Sequence, residues 1–302
     1  MNLIGKSYLD VLQNKVSCGH RIDKLEYQEL TNLGLTEITK TNDQGDMKEW
    51  RVKPGYENQA KKVVEDLKET RGYKIMATHK RNLEGQQKSL LKDSMELVGP
   101  TDVWQWCERV KGLGPVAAMT FLAYINPEKC PSAAQFYSYV GLIPKARLKK
   151  GERGHFNPEI KGRLVFCCGN TIMHTDPYYY ELYKIKKDYY KERPDTGKML
   201  EDKVKGVPAK VNARARMWLT KLIISHAIEI IRKSHGMTMP RHRYYLPPKP
   251  EDPAEQLRII DLFKEQQAVN LQEINRRIAE TGMSFDDAKE KLTWPVYEDG
   301  DQ

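Results

Sequence analysis

The sequence predicts a mostly α-helical protein, and three observations carry that expectation. In the N-terminal third, "SYLDVLQNKVSCGHRIDKLEYQEL" sets Leu9, Leu12, Val16 and Leu25 at helical intervals. From Val103 to Ser234 the apolar segments lengthen. There "VNARARMWLTKLIISHAIEIIRKSH" is apolar on most faces between Met217 and Ile231, the mark of a buried helix. A hydrophobic fraction of 39% beside 30% charged residues fits a globular chain with a polar surface.

The elements follow in order. After the first helix, "TKTNDQGDMKEWRVKPGYEN" is a polar interval broken by Gly45, Pro54 and Gly55. A charged helix is expected over 59–97, with a candidate interruption at Gly72. The N-terminal helices fit an antiparallel hairpin and one side of a coiled-coil dimer equally well, so a homo-oligomer through them stays open. Residues 178–210 form a Tyr- and Lys-rich connection, with Pro194, Gly197, Gly206 and Pro208 as breakers. Past "YYLPPKPEDP" an acidic helix is expected over about 254–280. The division is thus a helical arm at 1–99, a core domain at 100–250 and an acidic helical tail at 251–302.

Charge separates these parts. Residues 1–99 carry 17 basic and 15 acidic side chains, 100–250 carry 27 against 13, and 251–302 carry 6 against 13. Balances of +2, +14 and −7 put the positive field in the middle, which points to a polyanion such as nucleic acid or to a solvated basic face. Five cysteines without C-x-x-C spacing argue for reduced thiols and against a disulfide scaffold or a zinc site. No apolar run is long enough for a membrane span. The opening "MNLIGKSYLDVLQNK" lacks signal-peptide features. The expectation is a cytoplasmic, nucleoid-associated protein.

The clearest motif is "VKGLGPVAAMTFLAYI" at 110–125, which reads as the hairpin of a helix-hairpin-helix. Gly112 and Gly114 permit a tight turn, and Pro115 suits a first helical position. The helix's free N–H groups and positive dipole end would then meet a DNA phosphate, with Lys111 beside them. An ordinary Gly-rich turn between core helices is the alternative. Glycosylases built on this hairpin need a carboxylate soon after it, and no Asp occurs between Asp102 and Asp176.

Behind the hairpin, "KARLKKGERGHFNPEIKGRL" at 145–164 holds seven Lys or Arg against two Glu. Lys145, Arg147, Lys149, Lys150, Arg153 and His155 lie on a loop, and Lys161 and Arg163 on the helix after it. Asn157, Pro158 and Glu159 together make a strong helix start. Arg214 and Arg216 precede the apolar helix, where cations oppose the dipole unless an anion is present. The tyrosines at 178, 179, 180, 183, 189 and 190 could stack on unpaired bases. Their spacing also fits one side of a packed helix, the preferred reading.

The order "KGLGPVAAMTFLAYI", "PSAAQFYSYVGLIP", a basic Gly-rich loop and "NPEIKGRLVFCCGN" resembles the C-terminal domain of insertion-sequence 110/116/902 family transposases. "VNARARMWLTKLIISHAIEIIRK" is similar to that domain's closing helix, so the resemblance covers about 105–235. It implies DNA transposition or recombination, with a serine nucleophile in this domain and carboxylates from a RuvC-like N-terminal domain. Residues 1–99 contain no strand-rich segment ending in Asp, and Asn157 stands at the serine's position. No Ser occurs between Ser138 and Ser225. An amide with a delocalised lone pair is no nucleophile for a phosphodiester, so no catalytic residue is assigned. No metal or other cofactor is expected, with Mg²⁺ entering only if a RuvC-like partner completes the site.

The expected partner is DNA, duplex or branched, bound through phosphates. A recombinase subunit completed by another polypeptide, and a basic scaffold for RNA or protein, remain alternatives, and a guide-type RNA stays open.

Overall fold

The computed structural model describes residues 2–41, 47–143, 156–238 and 246–282. Helices dominate it, as the periodicity predicts. The chain divides into two compact units, Leu3–Ser94 and a second that begins at Met95.

In the first unit, α1 (Asn2–Asn32) and α3 (Arg71–Val98) run antiparallel. Gln87 reaches both Tyr8 and Lys15, while further along Tyr73 Oη donates to Glu26 and Cys18 Sγ to the Met76 carbonyl. The two helices therefore pair within one chain. The polar interval read as a break carries two strands, β1 (Thr36–Thr41) and β2 (Met47–Val52), in an antiparallel hairpin. A lone two-stranded hairpin is marginal in water. Here Trp50 and Val52, two residues apart and so on one face, pack on Leu30, Leu35 and Ala60. Helix α2 (Glu57–Glu69) completes this small core. The interruption expected at Gly72 falls at Thr70, whose backbone is extended at ψ 146°. Its hydroxyl donates to Leu67 O and accepts from Tyr73 N–H. Thr70 thus ends one helix and starts the next, and Gly72 lies inside α3.

The second unit is built around α11 (Val207–Ser234). Its Leu219, Ile223, Ile224, Ala227 and Ile228 are fully buried. Around it stand α4 (Asp102–Arg109), α5 (Pro115–Tyr124), α6 (Ala133–Tyr139), α7 (Pro158–Leu164) and α8 (Ile172–Thr175). Between α7 and α8 the helix widens to a π-helical segment, Val165–Thr171. Helix α9 (Pro177–Glu192) buries Tyr178, Tyr179, Tyr183 and Tyr189 and leaves Tyr180 exposed. The Tyr cluster is therefore mainly a packed face. Helix α10 (Pro194–Glu201) precedes α11.

Helix α12 (Pro253–Thr281) lies along α9. Phe263 stacks on Trp218 with ring centroids 5.3 Å apart. Lys186, buried at 7% exposure, donates to Gln267 Oε1 at 2.7 Å. Its ammonium also sits 4.2 Å from the Tyr189 ring centre, so hydrogen bond and ring face together replace lost hydration.

His226 organises the centre. Tyr179 Oη donates to its Nδ1 at 2.9 Å, and its Nε2–H donates to the Leu246 carbonyl at 2.8 Å. A carbonyl cannot donate, which fixes the tautomer. Trp106 meets the imidazole edge-on at 6.3 Å. Burial lowers the imidazole pKa from 6.5 to about 4, so it is neutral at pH 7. No helix among the described residues is long and apolar enough to cross a membrane.

Candidate nucleic-acid interface

The turn between α4 and α5 has its conformation set by glycine. Gly112 holds φ +101°, and a Cβ there would collide with Thr175 Oγ1 and lie 3.2 Å from Thr171 Cγ2. Gly114 is the extended N-cap of α5 and Pro115 follows at the first helical position; the Gly114 carbonyl takes Ala117 N–H at 3.0 Å, and among the described residues no side chain accepts from that first turn. The helix start has no acidic residue.

A buried carboxylate fixes this turn. Asp176 accepts from Lys111 N–H at 3.0 Å, from Tyr179 N–H at 3.2 Å and from Lys249 Nζ at 2.7 Å. Lys249 also donates to the Arg109 carbonyl, and Thr175 Oγ1 donates to the Lys111 carbonyl at 2.6 Å. Arg109 pairs in turn with Glu251. Both peptide groups of Lys111 are thus held while its side chain is exposed. The sequence reading did not single out Thr171, Thr175, Asp176 or Lys249. The local "DP" at 176–177 was the available signal, because Asp before Pro is a helix N-cap pattern. Asp176 does cap α9.

The start of α7 closes on itself. Asn157 Oδ1 accepts from Ile160 N–H at 3.2 Å, so it acts as an N-cap. Phe156 packs on Gly141, which has φ +71° and no room for a Cβ. Lys161 places its ammonium 4.9 Å from the centre of the Phe156 ring. The ends flanking residues 144–155 are therefore brought together. Lys145, Arg147, Lys149, Lys150, Arg153 and His155 lie outside the described residues.

The remaining predicted cations divide. Arg163 lies in the last turn of α7, within the rod formed by α7, the π segment and α8, with one guanidinium nitrogen buried. Its charge reaches the Cys167 thiol, whose pKa burial raises and Arg163 partly lowers. Further along the rod, Gly169 admits Arg216 from α11, whose Cγ would lie 3.0 Å from a Cβ at that glycine. Two residues on, Thr171 and Thr175 receive the Gly112 turn. Lys111 and Arg216 therefore flank one stretch, Gly169–Thr175. Arg214 is exposed but stands about 200° around α11 from Arg216, so those two do not share a face. Among the described residues no cluster of His, Cys, Asp or Glu could hold a metal ion. Burial raises the thiol pKa values of Cys107 and Cys168, which makes them poor nucleophiles.

Residues 105–183 match the model of the transposase IS116/IS110/IS902 family. No curated protein and no solved structure gives a significant match. The matched segment runs from α4 into α9 and contains the Gly112 turn, the Asn157 cap, the π segment and Asp176. The chain is thus similar to that family over about a quarter of its length, residues 105–183 of 302.

Proposed function

We propose that this is a DNA-binding protein of transposition or recombination that grips the sugar–phosphate backbone rather than reading base edges. The α4–α5 turn acts as a helix-hairpin-helix hairpin. The observation that carries this reading is the start of α5, a rigidly held glycine turn with exposed Lys111 beside it and no side chain on the first-turn donors. A phosphate there would accept from backbone N–H groups and meet the positive end of the helix dipole. Arg163 and Arg216 add cations along the neighbouring rod, and Arg214 a further one on another side of α11. The basic residues between Lys145 and His155 supply charge without a base-specific pattern.

Binding of this kind releases counterions and weakens steeply with salt. Fluorescence anisotropy on duplex, branched and single-stranded DNA across a salt series tests it. The expected result is a linear fall of log K with log[salt], and in Lys111→Glu a shallower slope by about one. Binding no tighter than that of an unrelated basic protein would overturn the reading. A strand-transfer assay with Mg²⁺ and a search for a covalent adduct test whether the chain also cuts.

A further inference from the structure

Phe166 is the exposed aromatic that the fold leaves unexplained. It is 63% exposed within the domain's most irregular helix. The other exposed rings described in this unit have partners: Tyr180 stacks on Tyr183 and lies near Lys184, and Tyr139 leans on Phe136. Among the described residues Phe166 enters no ring or cation contact.

Three features set this ring apart. A helical side chain leans over the preceding turn, and the residue four positions back is Gly162, which faces open space. Nothing at that position covers the ring. The segment from Val165 to Thr171 is π-helical, a geometry that is rare and appears mostly at functional sites. Cations lie close in sequence, Arg163 three residues before the ring and Lys161, whose ammonium rests on Phe156, five before it. Nine residues on along the same rod, Thr175 carries the Lys111–Gly112 turn. One exposed phenyl ring alone would need no explanation. An uncovered ring on a π segment, between predicted phosphate-binding cations, fits a ligand that is both anionic and aromatic.

We propose that Phe166 stacks on an unpaired DNA base, so that the protein prefers DNA with a local opening to perfect duplex. The inference rests on the DNA-binding reading and names the DNA form which that site takes. The cations hold the backbone on either side while the ring replaces the lost neighbour of an extruded or unpaired base. Stacking of this kind tolerates any base, because every base has a π face.

The test compares the full-length chain and Phe166→Ala on a perfect duplex and on the same duplex with a short central mismatch bubble, at fixed salt. Wild type should bind the bubble more tightly. Phe166→Ala should lose about 5- to 100-fold on the bubble, the loss expected for one base–aromatic stack, and less than twofold on the duplex. Phe166→Trp should restore bubble binding. Because the ring is exposed, thermal melting should give Phe166→Ala the wild-type midpoint. Equal losses on both forms, or none on the bubble, would overturn stacking and leave the DNA reading standing. A change in oligomeric mass by light scattering without the bubble-specific loss would overturn it as well, making Phe166 a contact between copies. Absence of salt-dependent binding to any DNA by wild type would remove the underlying reading instead.

Discussion

Three helices that start in the matched segment, α5, α7 and α9, begin with proline, and the first two treat their first turns in opposite ways. At α7, Asn157 turns its side chain back and accepts from Ile160 N–H. At α5 the equivalent residue is Gly114, which has no side chain to offer, and none of its neighbours replaces one. A helix needs partners for its first four N–H groups. The α7 start meets part of that need with a side chain, whereas at α5 the Gly114 carbonyl takes Ala117 N–H and Ala118 N–H, Pro115 has none, and among the described residues Val116 N–H is left to solvent or a ligand. A Pro at the start of a helix therefore says little about binding; the residue before it decides which end is available. This also separates the two roles the sequence suggested for the 145–164 region, because Asn157 serves its own helix.

The contrast can be broken most severely at the turn itself. Gly112→Val forces a β-branched residue to φ +101° and drives its side chain into Thr175. Positive φ alone costs roughly 1–2 kcal/mol, and displacing the pinned turn should bring the loss to about 3 kcal/mol or more. Urea denaturation measures it; an unchanged midpoint would mean that the turn is not wedged.

A second experiment asks how far α5 depends on the buried wall behind it, where Trp106 touches both Phe121 and His226. The folded imidazole has a pKa of about 4, against 6.5 when free. The unfolded chain therefore binds this proton first as pH falls. The contribution is intact above about 6.5, declines toward pH 4 and is level below it, with a total loss of about 3 kcal/mol. Stability curves of wild type and His226→Gln should converge as pH drops from 7 to 4; parallel curves would refute the linkage.

Asn157→Ala removes the α7 cap and should cost about 1 kcal/mol without altering the salt slope of DNA binding. A loss of DNA affinity at unchanged stability would return Asn157 to the binding or catalytic site. The mildest change sharpens the contrast most. Gly114 has extended φ and open space around a Cβ, so Gly114→Ser should fold normally. It gives α5 the kind of cap that α7 has, stabilising it by a few tenths of a kcal/mol, and should weaken DNA binding by competing for the first-turn donors. Unchanged DNA affinity in that variant would argue that α5 does not meet a phosphate.

Much of this was legible in the residues. The burial of most of Leu219–Ile231 follows from a run that is apolar on most faces, and the Gly112–Pro115 turn from breakers flanked by helical spacing. The Asn157 cap could be read because capping is a local interaction. What escaped was non-local or too short. The β-hairpin has six-residue strands whose inward residues, Trp50 and Val52, have meaning only once α2 lies across them. Asp176 looked like an isolated carboxylate after a long gap, since its partners Lys111 and Lys249 lie 65 and 73 positions away. The π segment has no spacing of its own in "VFCCGNT". Within it Gly169 lets Arg216 and Thr220 of α11 approach closely.

The Asp176–Lys249 pair sets an order in time. On the ribosome Asp176 is made 73 residues before the cation that neutralises it, an interval of roughly 4–15 s at ordinary elongation rates. Through that interval the carboxylate cannot be buried cheaply, since an unpaired charge in the interior costs several kcal/mol. The family segment is by then fully synthesised, yet its glycine turn still lacks the clasp that holds it. A nascent chain stalled between residues 183 and 249 should accordingly show the turn open to proteolysis. The glycine turn of the matched segment is closed only by a lysine made 66 residues after that segment ends.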